Sequence, residues 1–301
     1  MRKLMAALLA GGVLTTGPVA AQDGAIAAKV AALGRINSAT SPTLSPDGRR
    51  VAYLSNVSGS PQIWVRDLSG GPPRQVTNLP DPVGAVFWSP TDDRLAYTVA
   101  PGGGLNTQIW IANVDGSGAK RLTPGGKENS GLYGWTRDGR RLMVDSNKDN
   151  PAARDPALID PATGAWTMLT SNKGLNAISD VRGDRAVVGR LLGRGDVNGY
   201  LIDIASGKET LLTPHEGKAQ TGWGELSPDG RTVYVASNVG RDRQAFGAIA
   251  IGPDGRPSPI RYFAERSDAV AESAVLSDDG RTAALVWNAG GRSELAWLDA
   301  A

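Results

Sequence analysis

One phrase recurs six times along this 301-residue chain, and the copies align without gaps. They are SPDGRRVAY from Ser45, SPTDDRLAY from Ser89, TRDGRRLMV from Thr136, DVRGDRAVV from Asp180, SPDGRTVYV from Ser227 and SDDGRTAAL from Ser277. Successive copies lie 44, 47, 44, 47 and 50 residues apart. A period in the forties built from strand-like segments is what a four-stranded propeller blade needs.

Each unit reads alike. An apolar strand such as Ala85-Val86-Phe87-Trp88 leads into a turn in which Pro presets φ and Asp-Gly supplies the reversal. The next strand carries Val51, Leu95, Leu142, Ala186, Val233 and Ala283 in one column. Two residues on stand Tyr53, Tyr97, Val144, Val188, Val235 and Leu285, on the same face by the strand period of two. The residues between these columns are apolar as well, as expected if blades stack on both faces of each sheet. A third strand of the Ile63-Trp64-Val65 type follows, then a hairpin and an outer strand closing at Thr77, Thr123, Thr170 and Thr213. The fifth unit departs from that ending with Ile260-Arg261-Tyr262-Phe263. The expected fold is all-β: a β-propeller of four-stranded blades, five complete and a sixth lacking its outer strand.

That sixth unit runs through Leu295-Ala296-Trp297 to Asp299, where the hairpin to an outer strand would open. An unpaired sheet edge is an aggregation liability, so truncation is the simplest expectation. The rival is an outer strand supplied by the N-terminal segment. Its Ala25–Leu33 stretch reads instead as a short helix, Ala-rich with Ile26, Val30 and Leu33 near helical spacing.

Residues 1–21 read as a signal peptide: Arg2 and Lys3, an apolar stretch from Leu4 to Thr16, and Val19-Ala20-Ala21 before a cleavage point ahead of Gln22. The stretch is too short for a permanent span, so the expected destination is the periplasm or the medium, with no membrane span after cleavage. The expected organisation is then residues 1–21 as leader, 22–40 as a helix-like lead-in and 41–301 as propeller. The leader holds two of the 32 basic residues and none of the 30 acidic ones, so the mature chain balances at 30 against 30. Nucleic-acid binding needs a basic stripe, and these charges are scattered through turns.

The chain has no cysteine and one histidine, which excludes disulfides, thiolate sites and a cysteine nucleophile. No serine has Gly at both −2 and +2, so the nucleophile elbow of a serine hydrolase is absent; the nearest, Gly291-Arg292-Ser293-Glu294-Leu295, ends in Leu. His215, in a loop leaving an outer strand, is expected to face solvent. Asp145-Ser146-Asn147-Lys148-Asp149 opens like a calcium loop, but Asn150 and Pro156 stand where Gly and Glu are required. It reads better as an Asx-rich interblade turn. Arg194-Gly195-Asp196 spells an adhesion tripeptide that also occurs at Arg182-Gly183-Asp184 inside the repeat, a mark of chance. The tryptophans, Trp64 and Trp110 among them, lie in strand columns and are read as core rather than as a stacking platform. No metal, cofactor or catalytic residue is assigned. Glu128, in the loop Gly125-Gly126-Lys127-Glu128-Asn129, is the single candidate for a substrate-channel residue that meets a ligand amine.

The blade phrase Leu-Ser-Pro-Asp-Gly-Arg-x-Val-Ala-Tyr, followed by Gln-Ile-Trp-Val and a closing Leu-Thr, resembles the WD-like propeller repeat of two families. One is the N-terminal propeller of the prolyl oligopeptidase family of serine peptidases, in its dipeptidyl-aminopeptidase and acylaminoacyl-peptidase branch. The other is the TolB-like propeller. The resemblance covers residues 41–299. The helix-like Ala25–Leu33 running into Asn37-Ser38-Ala39-Thr40-Ser41-Pro42 is similar to the start of the peptidase propeller, whereas TolB-like proteins carry an α/β domain first. The peptidase resemblance implies a propeller that caps a covalently continuous α/β-hydrolase domain and admits short or unfolded peptides. The catalytic Ser, Asp and His of that family have no matching positions here. The competing expectation is a stand-alone periplasmic propeller that binds a protein or envelope partner.

Overall fold

The turn that opens four of the six repeats is built from a Ser or Thr hydroxyl and an Asp. In the first copy the Ser45 hydroxyl donates to Asp47 at 2.5 Å and accepts the Arg50 N–H at 2.9 Å, while the Gly48 N–H closes on the Ser45 carbonyl at 2.9 Å. Gly48 sits at φ +66°, in the left-handed region where a Cβ would be strained. Thr136–Asp138, Ser227–Asp229 and Ser277–Asp279 repeat the hydroxyl–carboxylate bond at 2.6 Å. Asp-Gly alone is therefore only half of the device.

A computed structural model describes residues 20–33, 36–171 and 174–299. It contains a helix, α1 (Ala20–Leu33), in a unit of its own, and a second compact unit from Ala39 onward. The helix contains the expected Ala25–Leu33 and begins five residues earlier. The basic start and apolar stretch of the expected signal peptide lie outside the described residues. No described helix is long and apolar enough to cross a membrane.

Six antiparallel sheets follow. Blade 1 is β1 (Ala39–Leu44), β2 (Arg50–Ser55), β3 (Gln62–Asp67) and β4 (Arg74–Gln75). Blade 2 is β5 (Val83–Trp88), β6 (Arg94–Val99), β7 (Gln108–Asn113) and β8 (Lys120–Arg121). Blade 3 is β9 (Ser130–Trp135), β10 (Leu142–Ser146), β11 (Asp155–Ile159) and β12 (Trp166–Met168). Blade 4 is β13 (Leu175–Arg182), β14 (Arg185–Gly193), β15 (Asp196–Asp203) and β16 (Glu209–Leu211). Blade 5 is β17 (Thr221–Leu226), β18 (Thr232–Ser237), β19 (Ala245–Ala250) and β20 (Arg261–Ala264). Blade 6 has three strands, β21 (Val270–Leu276), β22 (Thr282–Ala289) and β23 (Arg292–Asp299). The expected count of five full blades and a sixth short of one strand is what the chain forms. No described N-terminal strand joins blade 6, so closure from that segment is not made.

Strands within each blade pair in sequence order, and buried side chains fill the spaces between blades. One apolar cluster occupies each of the five junctions from blade 1 to blade 6. The first joins Ala52, Leu54 and Val65 to Trp88, Leu95 and Tyr97. Burial of both faces of every internal sheet is why the columns and the residues between them are all apolar.

The closing threonines explain the outer edge. Thr77, Thr123 and Thr213 accept the buried N–H groups of Ile63, Ile109 and Gly199 at 2.8, 3.1 and 2.8 Å. Thr123 also donates to Gln108 at 2.6 Å. A short outer strand leaves these donors without ladder partners, and the hydroxyl supplies one.

Candidate functional site

The first strand of each blade lies at the axis, because side chains there reach several blades at once. The clearest case is Arg137, in the β9–β10 turn of blade 3. Its guanidinium pairs with Glu225 of blade 5, lies 3.8 Å from Asp180 of blade 4, and bonds Asp278 of blade 6 at 2.7 Å. One side chain thus links four blades across the turn-bearing end of the channel.

The carboxylates it gathers also work on the backbone. Asp180 accepts the Leu226 N–H at 2.8 Å, and Glu225 accepts the Leu276 N–H at 3.2 Å. Each bond joins a blade to the next at the same point of the repeat. Thr43 does the same for Trp88 at 3.1 Å. In blade 3 the place of Thr43 and Glu225 falls to Gly134, at φ +122°; a Cβ there would stand 3.3 Å from the ring of Phe87. Asp180, placed by sequence at the start of a turn, is instead inside β13, and the reversal is the tight Gly183-Asp184 hairpin.

Arg182 lies beside this cluster. Its Nε and Nη2 are buried and lack hydrogen-bond partners, and burial followed by repulsion from Arg137 draws its pKa down. The chain therefore concentrates charge at one mouth, where a carboxylate and a guanidinium are cheap only in company.

The other end of the axis carries a cavity of about 570 Å³ between blades 3, 4 and 5. Its polar wall centres on Asp145, which is buried. Asp145 accepts the Tyr133 O–H at 2.7 Å and the Gly131 N–H at 2.9 Å, and it pairs with Arg154. Burial first, and then the Asp145 charge, push the Tyr133 phenol above its ordinary range. Gln220 and Gln244 add side-chain amides, while Leu175 and Val197 add apolar surface. This lining suits hydrogen bonding to amide groups. Ser179 also lines the cavity, but the chain's one histidine is not among the lining residues.

The residues singled out from sequence fall as follows. Glu128 lies two residues before β9, half-buried, with its carbonyl accepting Gln108 Nε2 at 2.7 Å and its Oε2 buried without a hydrogen-bond partner. It is not among the residues lining the larger cavity. His215 does not face solvent: its Nδ1 contacts the Thr213 carbonyl at 2.8 Å and its Nε2 contacts Asp196 at 3.0 Å. The His215 side chain alone is covered, by its contact with Asp196 of blade 4, while Pro214, Glu216, Gly217 and Lys218 around it stay exposed. Asp196 is thereby occupied, so the Arg194-Gly195-Asp196 tripeptide does not offer a free carboxylate. Asp145 and Ser146 end β10, and Asn147–Asp149 open the connection from β10 to β11 inside blade 3 rather than between blades; the Asn147 side chain accepts the Asn129 N–H at 2.7 Å. Trp88, Trp135 and Trp287 are core, whereas Trp297 is exposed. Arg137 and Arg154 were not singled out, and Asp145 only as the opening of a calcium-like loop. The available signal was a charged residue in an apolar column: Asp145 shares its column with Leu54 and Ala236.

Comparison with known proteins agrees with this architecture. Residues 18–152 match the model of the TolB β-propeller domain. Over those residues, less than half of the chain, it is similar to the TolB β-propeller domain. Its relatives fall on both sides of the sequence resemblance. The chain is 27% identical over 215 residues to dipeptidyl aminopeptidase BIII of Pseudoxanthomonas mexicana, a match covering 69% of this chain and 31% of that protein. It is 37% identical over 83 residues to the Tol-Pal system protein TolB of Anaeromyxobacter dehalogenans strain 2CP-C, covering 28% of this chain and 18% of that one. The chain therefore spans less than a third of either relative. Among solved structures, the β-propeller domain of the Trilobed protease from Pyrococcus furiosus superposes with a TM-score of 0.64 at 16% identity, over 89% of this chain and 84% of that one.

Proposed function

We propose that this propeller is the non-catalytic part of an exported serine peptidase of the prolyl oligopeptidase family, capping an α/β-hydrolase domain and controlling which peptides reach it. The observation that carries this reading is the 215-residue match to a dipeptidyl aminopeptidase, which runs through most of the blades. The channel chemistry is consistent with it. One mouth is bridged by Arg137, and the other holds an amide-lined cavity suited to an extended peptide backbone. Glu128, with a buried carboxylate oxygen that has no hydrogen-bond partner, is proposed as the acceptor for a peptide amine. The signal-like N-terminus supports export to the periplasm. No nucleic-acid partner and no cofactor enter this reading.

The reading is tested by the DNA that follows codon 301. An open frame continuing to Gly-x-Ser-x-Gly supports it, and an immediate stop codon with a stable expressed chain removes it. In the second reading, a stand-alone propeller binds a protein or envelope partner. Its support is the higher local identity to TolB, 37% over 83 residues. Retention of an envelope protein by the purified chain, together with that stop codon, favours it.

A further inference from the structure

Blade 4 breaks the charge rule of the repeat turn. Blades 1, 3, 5 and 6 place Asp47, Asp138, Asp229 and Asp279 at the third position of the phrase, where each accepts the hydroxyl that opens it. Blade 4 places Arg182 there, and its opening residue is Asp180 rather than Ser or Thr. Blade 3 departs at the second position: Arg137 stands where blades 1, 2 and 5 have Pro46, Pro90 and Pro228. Neither turn needs an arginine to reverse, since Gly139 and Gly183 adopt φ of +67° and +57°.

The two departures meet in space. Arg137, Arg141 and Arg182 line one cavity of about 220 Å³ between the turns of blades 3, 4 and 5. Arg137 is engaged by Glu225 and Asp278, with Asp180 at 3.8 Å, and only its Nε is buried and unbonded. Arg182 makes no ion pair among the described residues, and its Nε and Nη2 are buried without hydrogen-bond partners. Burial, and then repulsion from Arg137, draw its pKa down against the pull of Asp180 and Asp278. Arg141 likewise makes no ion pair among the described residues. Asp138, the one carboxylate among the lining residues, is held by the Thr136 hydroxyl at 2.6 Å and the Arg140 N–H at 3.1 Å.

Like charges held close together with little solvent call for a counter-charge. Water can accept from a guanidinium N–H but does not offset the repulsion, whereas an anion does both. We propose that this cavity is an anion site, held by Arg141 and Arg182 with Arg137 adjoining, and that the anion it takes is a carboxylate. The class follows from the surrounding charge. Asp138 lines the cavity, and Asp180 and Glu225 stand beside Arg137. A single negative charge on a planar group, matched by the guanidinium fork, is therefore favoured over a phosphate dianion. The site does not rest on the peptidase reading: failure to bind would remove the site and leave that reading standing, and loss of that reading would leave these arginines in place.

The experiment titrates the full chain with N-acetyl-alanyl-alanine, its C-terminal amide, N-acetyl-aspartic acid amide and inorganic phosphate, following arginine side-chain N–H signals by NMR. Saturable binding is expected for the two carboxylates, with the peptide amide silent and phosphate weaker than either. Whichever carboxylate binds tighter tells a chain end from an acidic side chain. Arg182→Met and Arg141→Gln are each expected to weaken carboxylate binding about tenfold or more. Arg182→Met is also expected to melt no lower than the parent, because it removes an uncompensated buried charge. An arginine with a purely structural role would lower the melting temperature on removal and leave binding as it was. Arg141→Gln reads the binding independently should Arg182→Met not fold. The proposal is overturned by a parent that shows no saturable binding, by equal binding of the peptide amide, by tighter binding of phosphate, or by both variants binding as the parent does.

Discussion

Asp180 of blade 4 accepts the backbone N–H of Leu226 in blade 5 at 2.8 Å, so a carboxylate at the axis serves as the fastener between two sheets. The bond is buried at both ends. Asp180→Ala leaves the Leu226 N–H without an acceptor, at a cost of about 1–3 kcal/mol. Asp180→Asn keeps an oxygen at the same reach and should recover a large part of that loss. Urea denaturation of the two variants checks the order.

Arg137 answers two carboxylates that are nearly covered, Asp180 and Glu225. Its own side chain is 30% exposed, which places the network between the surface-pair and buried-pair limits. Arg137→Ala should therefore destabilise the chain by roughly 2 kcal/mol. It should do so without shifting the outer-strand amides in hydrogen exchange, because the change is confined to the axis.

The closing threonine is predicted to matter for its hydroxyl rather than its shape. Thr213→Val keeps the volume but strands the Gly199 N–H, which Thr213 accepts at 2.8 Å, and the expected loss is about 1–3 kcal/mol. Thr213→Ser, which keeps the hydroxyl, should lose less. Chemical denaturation separates the two.

The repeat turns make a pH prediction with a definite sign. Hydroxyl and backbone hydrogen bonds hold Asp47, Asp229 and Asp279 below the ordinary carboxylate value of 3.8. A group with a depressed folded pKa adds stability that is present above its unfolded value and is lost as pH falls through the folded one. The melting temperature should thus be insensitive to these groups near neutrality and drop as pH falls below 3.8. Replacing all three by Asn should flatten that drop. An unchanged acid limb would show that other carboxylates govern it.

How much of this was legible beforehand follows from what each feature depends on. The blades were legible because the repeat imposes the same local signals six times, and errors at one copy are corrected by the others. Asp180 was misplaced in a turn because only its register in the alignment was visible, while its role depends on Leu226, 46 residues away. His215 was misjudged for the same reason: its ring is held by Asp196, 19 residues away, as well as by the nearby Thr213 carbonyl. The Arg137 network was out of reach, since its partners come from three other blades and meet only once the chain has closed around an axis. The exposure of Trp297 was hidden because its strand, β23, reads like the buried third strands of the other blades.

In the proposed reading, this chain guards a channel and leaves the hydrolytic nucleophile to an α/β-hydrolase domain. Incubating the full chain with a fluorophosphonate and measuring its intact mass addresses that claim directly. The account predicts an unmodified mass at every serine; a single stoichiometric adduct on any of them would contradict it.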